Sequence, residues 1–296
     1  MNYGIIDLGS NSVRLEIYSF QKDEMKHVYS RREVLGLASY VLPEGYLSDL
    51  GIDALIRVLN ELVQSSKHFE LKALYVVATA TIRNARNQNE VLIKIKKNCG
   101  VNVIVLDEEK EAYYGYKGVT LKFDIKDGLV VDIGGGSTEV TLVKNGLVKE
   151  GHSLPIGSLN AYISYVKDVL PSLDEKARIL HAVINALKQE NVIKEQVLEV
   201  YGIGGTIRAC KVLIESLLNK KIDFLTKSHL EDLMKRLNPL KKQTYLSLMR
   251  MIPDRTHTII PGMMILLALM EYFEFSQLKV SDYGIREGYL FERVEN

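Results

Sequence analysis

One short phrase is written twice in this chain. Asp7-Leu8-Gly9-Ser10-Asn11-Ser12 and Asp132-Ile133-Gly134-Gly135-Gly136-Ser137-Thr138 each follow an apolar run with the character of a strand. What comes after them matches as well. Val13 to Phe20, a polar turn at Gln21 to Glu24 and Met25 to Leu35 follow the first loop. Glu139 to Val143, the turn Lys144-Asn145-Gly146 and Leu147 to Leu154 follow the second. A strand–loop–strand–strand unit repeated in this way predicts two related halves facing a common cleft.

Composition sets the outer limits. With 296 residues, 47% apolar and 25% charged, the chain has the make-up of an ordinary soluble globular protein long enough for two cores. A net charge of +1 argues against a dedicated, sequence-specific nucleic-acid binder, so any anion site is locally built. Cys99 and Cys210 give no disulfide framework and no metal-ligand spacing, and the histidines show no zinc pattern, which fits a reducing cytoplasm. The first residues enter a strand without a basic leader, and the most apolar stretch, Ile259 to Met270, is too short to span a bilayer and reads as a buried helix. No membrane association is expected.

The first half alternates strand and helix signals after its hairpin. Ser48 reads as the N-cap of a helix reaching His68, with Ile52, Leu55, Ile56, Leu59, Leu62 and Val63 on one apolar stripe. Leu74 to Ala78 and Val101 to Leu106 read as strands and Asn89 to Asn98 as a helix. A helix from Asp107 to Lys117 ends near Gly118, the expected hinge. Asp174 to Gln189 is predicted as a long amphipathic helix, and Val197 to Tyr201 as a strand. A third glycine loop, Gly202-Ile203-Gly204-Gly205-Thr206, opens a helix reaching Leu218, and Ser228-His229-Leu230-Glu231 matches a capping box. Pro261 to Phe275, a strand at Leu278 to Ser281 and a last helix from Tyr283 complete the pattern. The expected division is residues 1–120 and 121–284, with the last helix, 285–296, packing back on the first domain.

The loops point to phosphate. A phosphoryl group needs backbone N–H groups that approach closely, and glycine removes the Cβ that would stand in the way. Gly9, Ser10, Asn11 and Ser12, with Gly134, Gly135, Gly136, Ser137 and Thr138, supply such N–H groups together with hydroxyl and amide donors. Gly204, Gly205 and Thr206 offer a third set. No Gly-Lys-Ser/Thr follows, which excludes the Walker pattern, and each of the first two loops leads into a strand, which excludes the dinucleotide fingerprint. Asp7 and Asp132 sit at strand ends beside the loops. Two carboxylates beside bound phosphate call for a cation between them, and Mg²⁺ held largely through water is the expected companion.

Taken together, the loops resemble those of the exopolyphosphatase/guanosine pentaphosphate phosphohydrolase family, a branch of the sugar kinase/Hsp70/actin superfamily. Four further blocks share the resemblance in family order. They are Ala78-Thr79-Ala80-Thr81-Ile82-Arg83-Asn84-Ala85-Arg86-Asn87, Glu111-Ala112 before an aromatic pair, Gly202-Ile203-Gly204-Gly205-Thr206, and Ser281-Asp282-Tyr283-Gly284-Ile285-Arg286-Glu287-Gly288. The resemblance implies an α/β fold of two actin-like (ribonuclease H-like) domains with a cleft between them. It also implies hydrolysis of the terminal phosphoanhydride of polyphosphate or of a guanosine penta- or tetraphosphate. By motif position Glu111 is similar to the family's catalytic glutamate, Arg83 to its phosphate-contacting arginine and Asp132 to its magnesium-associated aspartate, with Asn11 and Ser137 as loop ligands.

The chain departs from the family's pattern in two places. Asp107-Glu108-Glu109-Lys110 replaces the residues usually found before Glu111, leaving Glu108 and Glu109 as neighbouring candidates, and Ser158-Leu159-Asn160 stands where a cation is expected after Pro155-Ile156-Gly157. Pattern alone reads Glu111 as a solvated helix charge, and Arg286-Glu287 as an ion pair. Two other functions stay open at this stage: a phosphotransferase of the same superfamily, and a non-catalytic polyphosphate or alarmone sensor. A homodimer is compatible with each of them.

Overall fold

The hairpin that follows each glycine loop is the seed of a sheet. In the computed structural model, which describes residues 1–21, 24–195, 199–237 and 242–295, the chain divides into two compact units. The first is Met1–Glu111 with Arg286–Asn296, and the second is Ala112–Ile285.

The first unit opens with β1 (Asn2–Leu8), β2 (Ser12–Gln21) and β3 (Glu24–Val34), an antiparallel meander. Helix α1 (Asp49–Ser66), β4 (Leu71–Ala78), the single turn α2 (Ala80–Arg83), α3 (Gln88–Cys99) and β5 (Ile104–Val105) follow. The sheet order is β3-β2-β1-β4-β5, with β4 and β5 parallel to β1. Alternation decides its faces. Ile6, Leu8, Val13, Leu15, Ile17, Val76 and Ala78 join α1 and α3 in one core. Asp7, Arg14, Glu16 and Tyr18 lie on the opposite face, as the β1–β2 register places Asp7 across from Arg14 and Ile5 across from Glu16.

Helix α4 (Glu108–Thr120) begins in the first unit and continues into the second. There β6 (Gly128–Ile133), β7 (Thr138–Lys144) and β8 (Leu147–Leu154) repeat the meander. Next come α5 (Ser158–Tyr165), α6 (Leu173–Gln189), β9 (Val200–Ile203), α7 (Gly204–Leu218), β10 (Phe224–Thr226), α8 (Lys227–Arg236), α9 (Lys242–Met251), α10 (Ile259–Tyr272), β11 (Gln277–Val280) and α11 (Ile285–Glu295). The order β10-β11-β9-β6-β7-β8 contains the first sheet's arrangement, with β9 and β11 in the places of β4 and β5, plus an antiparallel edge strand. This is the α/β architecture expected of actin-like domains.

Helix α10 is the apolar stretch noted above, and its near-total burial among α5, α6, α7 and α8 explains why it carries no polar stripe. Each Ile, Leu or Met buried there stabilises by about 2 kcal/mol relative to exposure. No helix among the described residues is long and apolar enough to cross a membrane.

The first unit's polar face is closed by α11. Tyr289 and Leu290 are fully buried there, and Tyr289 meets Tyr75 edge to face. In the second unit, α4 covers the corresponding face, where Tyr116 and Val119 pack with Val130, Val143, Tyr201 and Ile203.

Several expectations need correction. The third glycine loop is not a loop: Gly202 is inside β9 and Gly204 begins α7, so the chain passes from strand to helix directly. Helix α8 is capped by Thr226 and not by Ser228, the Thr226 hydroxyl accepting from His229 N at 3.2 Å. The strand expected over Val101 to Leu106 shrinks to two residues, because only Ile104 and Val105 lie beside β4 before it ends at Ala78. The helix expected to end near Gly118 runs on to Thr120, so Gly118 lies within α4, where a Cβ would collide with the backbone of Gly284. Lys22 and Asp23 of the first predicted turn, and Val197 and Leu198 of one predicted strand, lie outside the described residues.

Candidate active site

The two glycine loops are built by one rule. Gly9 N donates to Ser12 O at 3.2 Å, and Gly134 N donates to Ser137 O at 3.0 Å, closing each loop on itself. The remaining carbonyls are then drawn to one side. In the first unit, Ala38 N donates to Ser10 O, while Leu35 N and Gly36 N both donate to Asn11 O. In the second, Ser158 N donates to Gly134 O, and Leu159 N and Asn160 N both donate to Gly135 O. The Asn160 amide then takes Gly136 O at 2.6 Å.

Carbonyl and N–H point in opposite directions across a trans peptide, and no cis bond occurs among the described residues. Tying back these carbonyls therefore directs the next N–H groups outward: those of Asn11 and Ser12 in one loop, and of Gly135, Gly136 and Ser137 in the other. Such a concave row of N–H groups is an anion-binding nest. Asn11 adds a second sign of a ligand. It is 6% exposed, and both atoms of its side-chain amide are buried without a hydrogen-bond partner. A buried amide left in that condition costs about 1–3 kcal/mol, which a bound polar group removes.

Around the first loop the charges are paired. Asp7 accepts from Arg286 Nη1 at 3.0 Å, and Arg286 also lies 3.8 Å from Glu287. Glu287 accepts a short bond from the Tyr18 hydroxyl. Burial opposes the charge on Arg286, but Glu287, Asp7 and Glu16 outweigh it and hold its pKa above the ordinary value. Burial, and then Glu287, push the Tyr18 hydroxyl up. Glu16 in turn receives Arg14, His27 and Ser30.

Arg83 ends α2, where Gln88 fixes the turn by donating to Ile82 O and Arg83 O at 3.2 and 2.9 Å. Its guanidinium donates to Leu106 O and makes a short ion pair with Glu111. Glu111 is buried at 4% exposure, so it is not a solvated helix charge. Glu108 is largely exposed and 3.8 Å from Arg83, and Glu109 is exposed. Asp107 caps α4, accepting from Lys110 N at 2.8 Å. Of the four acids in this run, burial and the arginine single out Glu111.

The second unit has a different charge arrangement. Asp132 and Glu139 are direct partners across the β6–β7 ladder and so share a face, where the first unit has Asp7 opposite Arg14. Glu139 accepts from the Ser153 hydroxyl at 3.0 Å and is almost fully buried. Gly204 leaves room for Asp132: its φ of +86° suits glycine, and a Cβ there would strike the Asp132 carboxylate. A Cβ at Gly205 would strike the Arg255 guanidinium, which places Arg255 at the N-terminus of α7. Thr206 follows with its hydroxyl buried and unpartnered. Among the described residues, no group of three or more acidic, histidine or cysteine side chains is placed to hold a metal. Asp132 and Glu139 fit a cation that draws its other ligands from water and substrate, which is the habit of Mg²⁺.

Sequence reasoning did not single out Glu139, and read Arg286 only as an ion pair with Glu287. The signal for Glu139 was available in the loop length: a tight turn at Gly134 to Ser137 forces Glu139 opposite Asp132. Nothing in the sequence pairs Arg286 with Asp7.

The sequence profile of the Ppx/GppA phosphatase family matches residues 16–296. The chain is 29% identical over 310 residues to a bifunctional 3-dehydroquinate synthase/phosphatase of Fusobacterium nucleatum, covering 98% of this chain and 46% of that one. It is 28% identical over 297 residues to a guanosine-5'-triphosphate,3'-diphosphate pyrophosphatase of Pseudoalteromonas translucida, covering 99% and 59%. The chain thus spans about half the length of these two relatives. The crystal structure of the Aquifex aeolicus Ppx/GppA family member superposes with a TM-score of 0.80 at 30% identity, covering 100% of this chain and 98% of that one.

Proposed function

The chain belongs to the Ppx/GppA phosphatase family, and from that premise we propose that it hydrolyses the terminal phosphoanhydride bond of inorganic polyphosphate or guanosine pentaphosphate. One observation carries the reading: both glycine loops have their carbonyls tied back and their N–H groups turned outward, as anion nests. The two substrates end in the same phosphoanhydride, and the Pseudoalteromonas relative's name places a guanosine nucleotide of this kind among the substrates of related proteins.

In the proposed reaction a water oxygen attacks the terminal phosphorus, the bridging P–O bond breaks, and the electron pair leaves with the shortened chain. Glu111 takes the water's proton. Arg83 holds the Glu111 carboxylate and brings positive charge to the oxygens on which negative charge spreads, where electrostatic stabilisation does most of the catalysis. The N–H groups of Asn11 and Ser12, and the Asn11 amide, bind phosphoryl oxygens. In the second unit Gly135, Gly136, Ser137 and the start of α7 offer phosphoryl-binding N–H groups of the same kind. Asp132 and Glu139 would hold a divalent cation, which when bound neutralises phosphate charge. Asp7, already paired with Arg286, serves to hold the first loop's strand end.

The test is release of inorganic phosphate, with Mg²⁺, from medium-chain polyphosphate, from guanosine pentaphosphate, and from ATP mixed with sugars. Release is expected from at least one of the first two, and is expected to fall by about 100-fold or more in Glu111→Gln. Release that survives in this variant removes Glu111 from its role. Sugar phosphorylation points to a phosphotransferase, and silence with every substrate overturns the hydrolase.

A further inference from the structure

We infer that Asn160 is a positioning residue of the second phosphate loop, aiming the Ser137 N–H at the bound phosphoryl group; this rests on the phosphate reading above. Asn160 spends its whole side chain on backbone. Its amide nitrogen donates to Gly136 O at 2.6 Å and to Pro155 O at 3.3 Å, and its amide oxygen accepts from Gly157 N at 2.6 Å. Its own N–H is also taken, by Gly135 O at 3.0 Å. No donor is left for a ligand, so Asn160 acts through the loop.

Its effect falls on one peptide. Gly135 O is held by the backbone N–H groups of residues 159 and 160, and Gly134 O by the Ser158 N–H with its hydroxyl, so each keeps a backbone donor that any residue type except proline provides. Gly136 O is held by the Asn160 side chain. Rotation of the Gly136–Ser137 peptide plane is therefore controlled by one amide, and that plane sets the direction of the Ser137 N–H. The sequence pattern leads one to expect a cation in this segment. The structure shows a neutral amide whose short reach suits the Gly136 carbonyl, so the position contributes direction and not charge.

The consequence is selective. In the full chain with Mg²⁺, titration with orthophosphate followed by amide ¹H–¹⁵N resonances is expected to move the Gly135, Gly136 and Ser137 signals together. In Asn160→Ala the Ser137 response is lost and affinity falls about tenfold, the worth of one charge-assisted hydrogen bond. Gly135 and Gly136 still respond. Asn160→Asp, of the same size, keeps the bond from Gly157 N and loses the donation to Gly136 O. It must show the same selective loss, which guards against a fold defect in the alanine variant. An unchanged Ser137 response in both variants overturns the inference, as does Asn160→Arg binding phosphate more tightly than the native chain. If the native chain's loops do not respond to phosphate at all, the phosphate reading falls first and the inference falls with it.

Discussion

Arg286 shows what a single side chain contributes when it is placed between acids. It stands 279 residues from Asp7 in sequence and bonds to it in the fold, with Glu287 on its other side. Removing it leaves two carboxylates in a poorly solvated place, where breaking a buried pair costs about 3–5 kcal/mol. Arg286→Met is expected to lose about 3 kcal/mol of stability at pH 7 by denaturant titration. Adding Asp7→Asn to that variant should recover part of the loss, and a double variant no more stable than the single one would show that the pair is not the cause. This contact also marks where sequence reading stops. The two glycine turns are legible because they are written in local motifs, whereas Glu111 is picked out only by the family resemblance, since pattern alone reads it as a solvated charge. Arg286 is not legible, because its partner is fixed by the way the last helix packs, and Glu139 is legible only if the loop length is used to set the hairpin's register.

At the scale of elements, local signals succeeded where the chain meets its own propensities and failed where two signals competed. Helix α1 begins at Ser48, whose hydroxyl accepts from Gly51 N at 3.3 Å, as its N-cap pattern predicts. Helix α8 offered two caps. Ser228-His229-Leu230-Glu231 has the stronger pattern, yet Thr226 wins because β10 pairs with β11 only as far as Thr226 and releases the chain there. Thr226→Ala is therefore expected to cost about 1 kcal/mol, and Ser228→Ala less than about 0.5 kcal/mol, measured as shifts in thermal midpoint. The reverse order would restore Ser228 as the cap. The third glycine run misleads for a related reason. Gly202 lies in β9, against Ile207 and Leu278, so its glycine serves packing, and Gly204 alone makes the turn into α7.

For the whole molecule, two related hairpin-led halves were legible from the doubled phrase and the last helix was expected to pack back on the first, while the order of the strands beyond each hairpin was not read. The first unit is completed from far along the chain, by α11. Ending the chain at Ile285 removes Arg286 from Asp7 of β1, Glu287 from Tyr18 of β2 and Tyr289 from Tyr75 of β4. Hydrogen exchange in β1 and β2 is then expected to rise sharply, while β6 and β7 keep their protection; unchanged exchange in β1 and β2 would show that α11 is dispensable. The doubled hairpin also carries a lesson about inheritance. Both copies retain the aspartate and the turn but differ at the residue across the ladder, Arg14 in one and Glu139 in the other. After a duplication, one substitution at that rung is enough to give twin hairpins opposite charge beside the same aspartate.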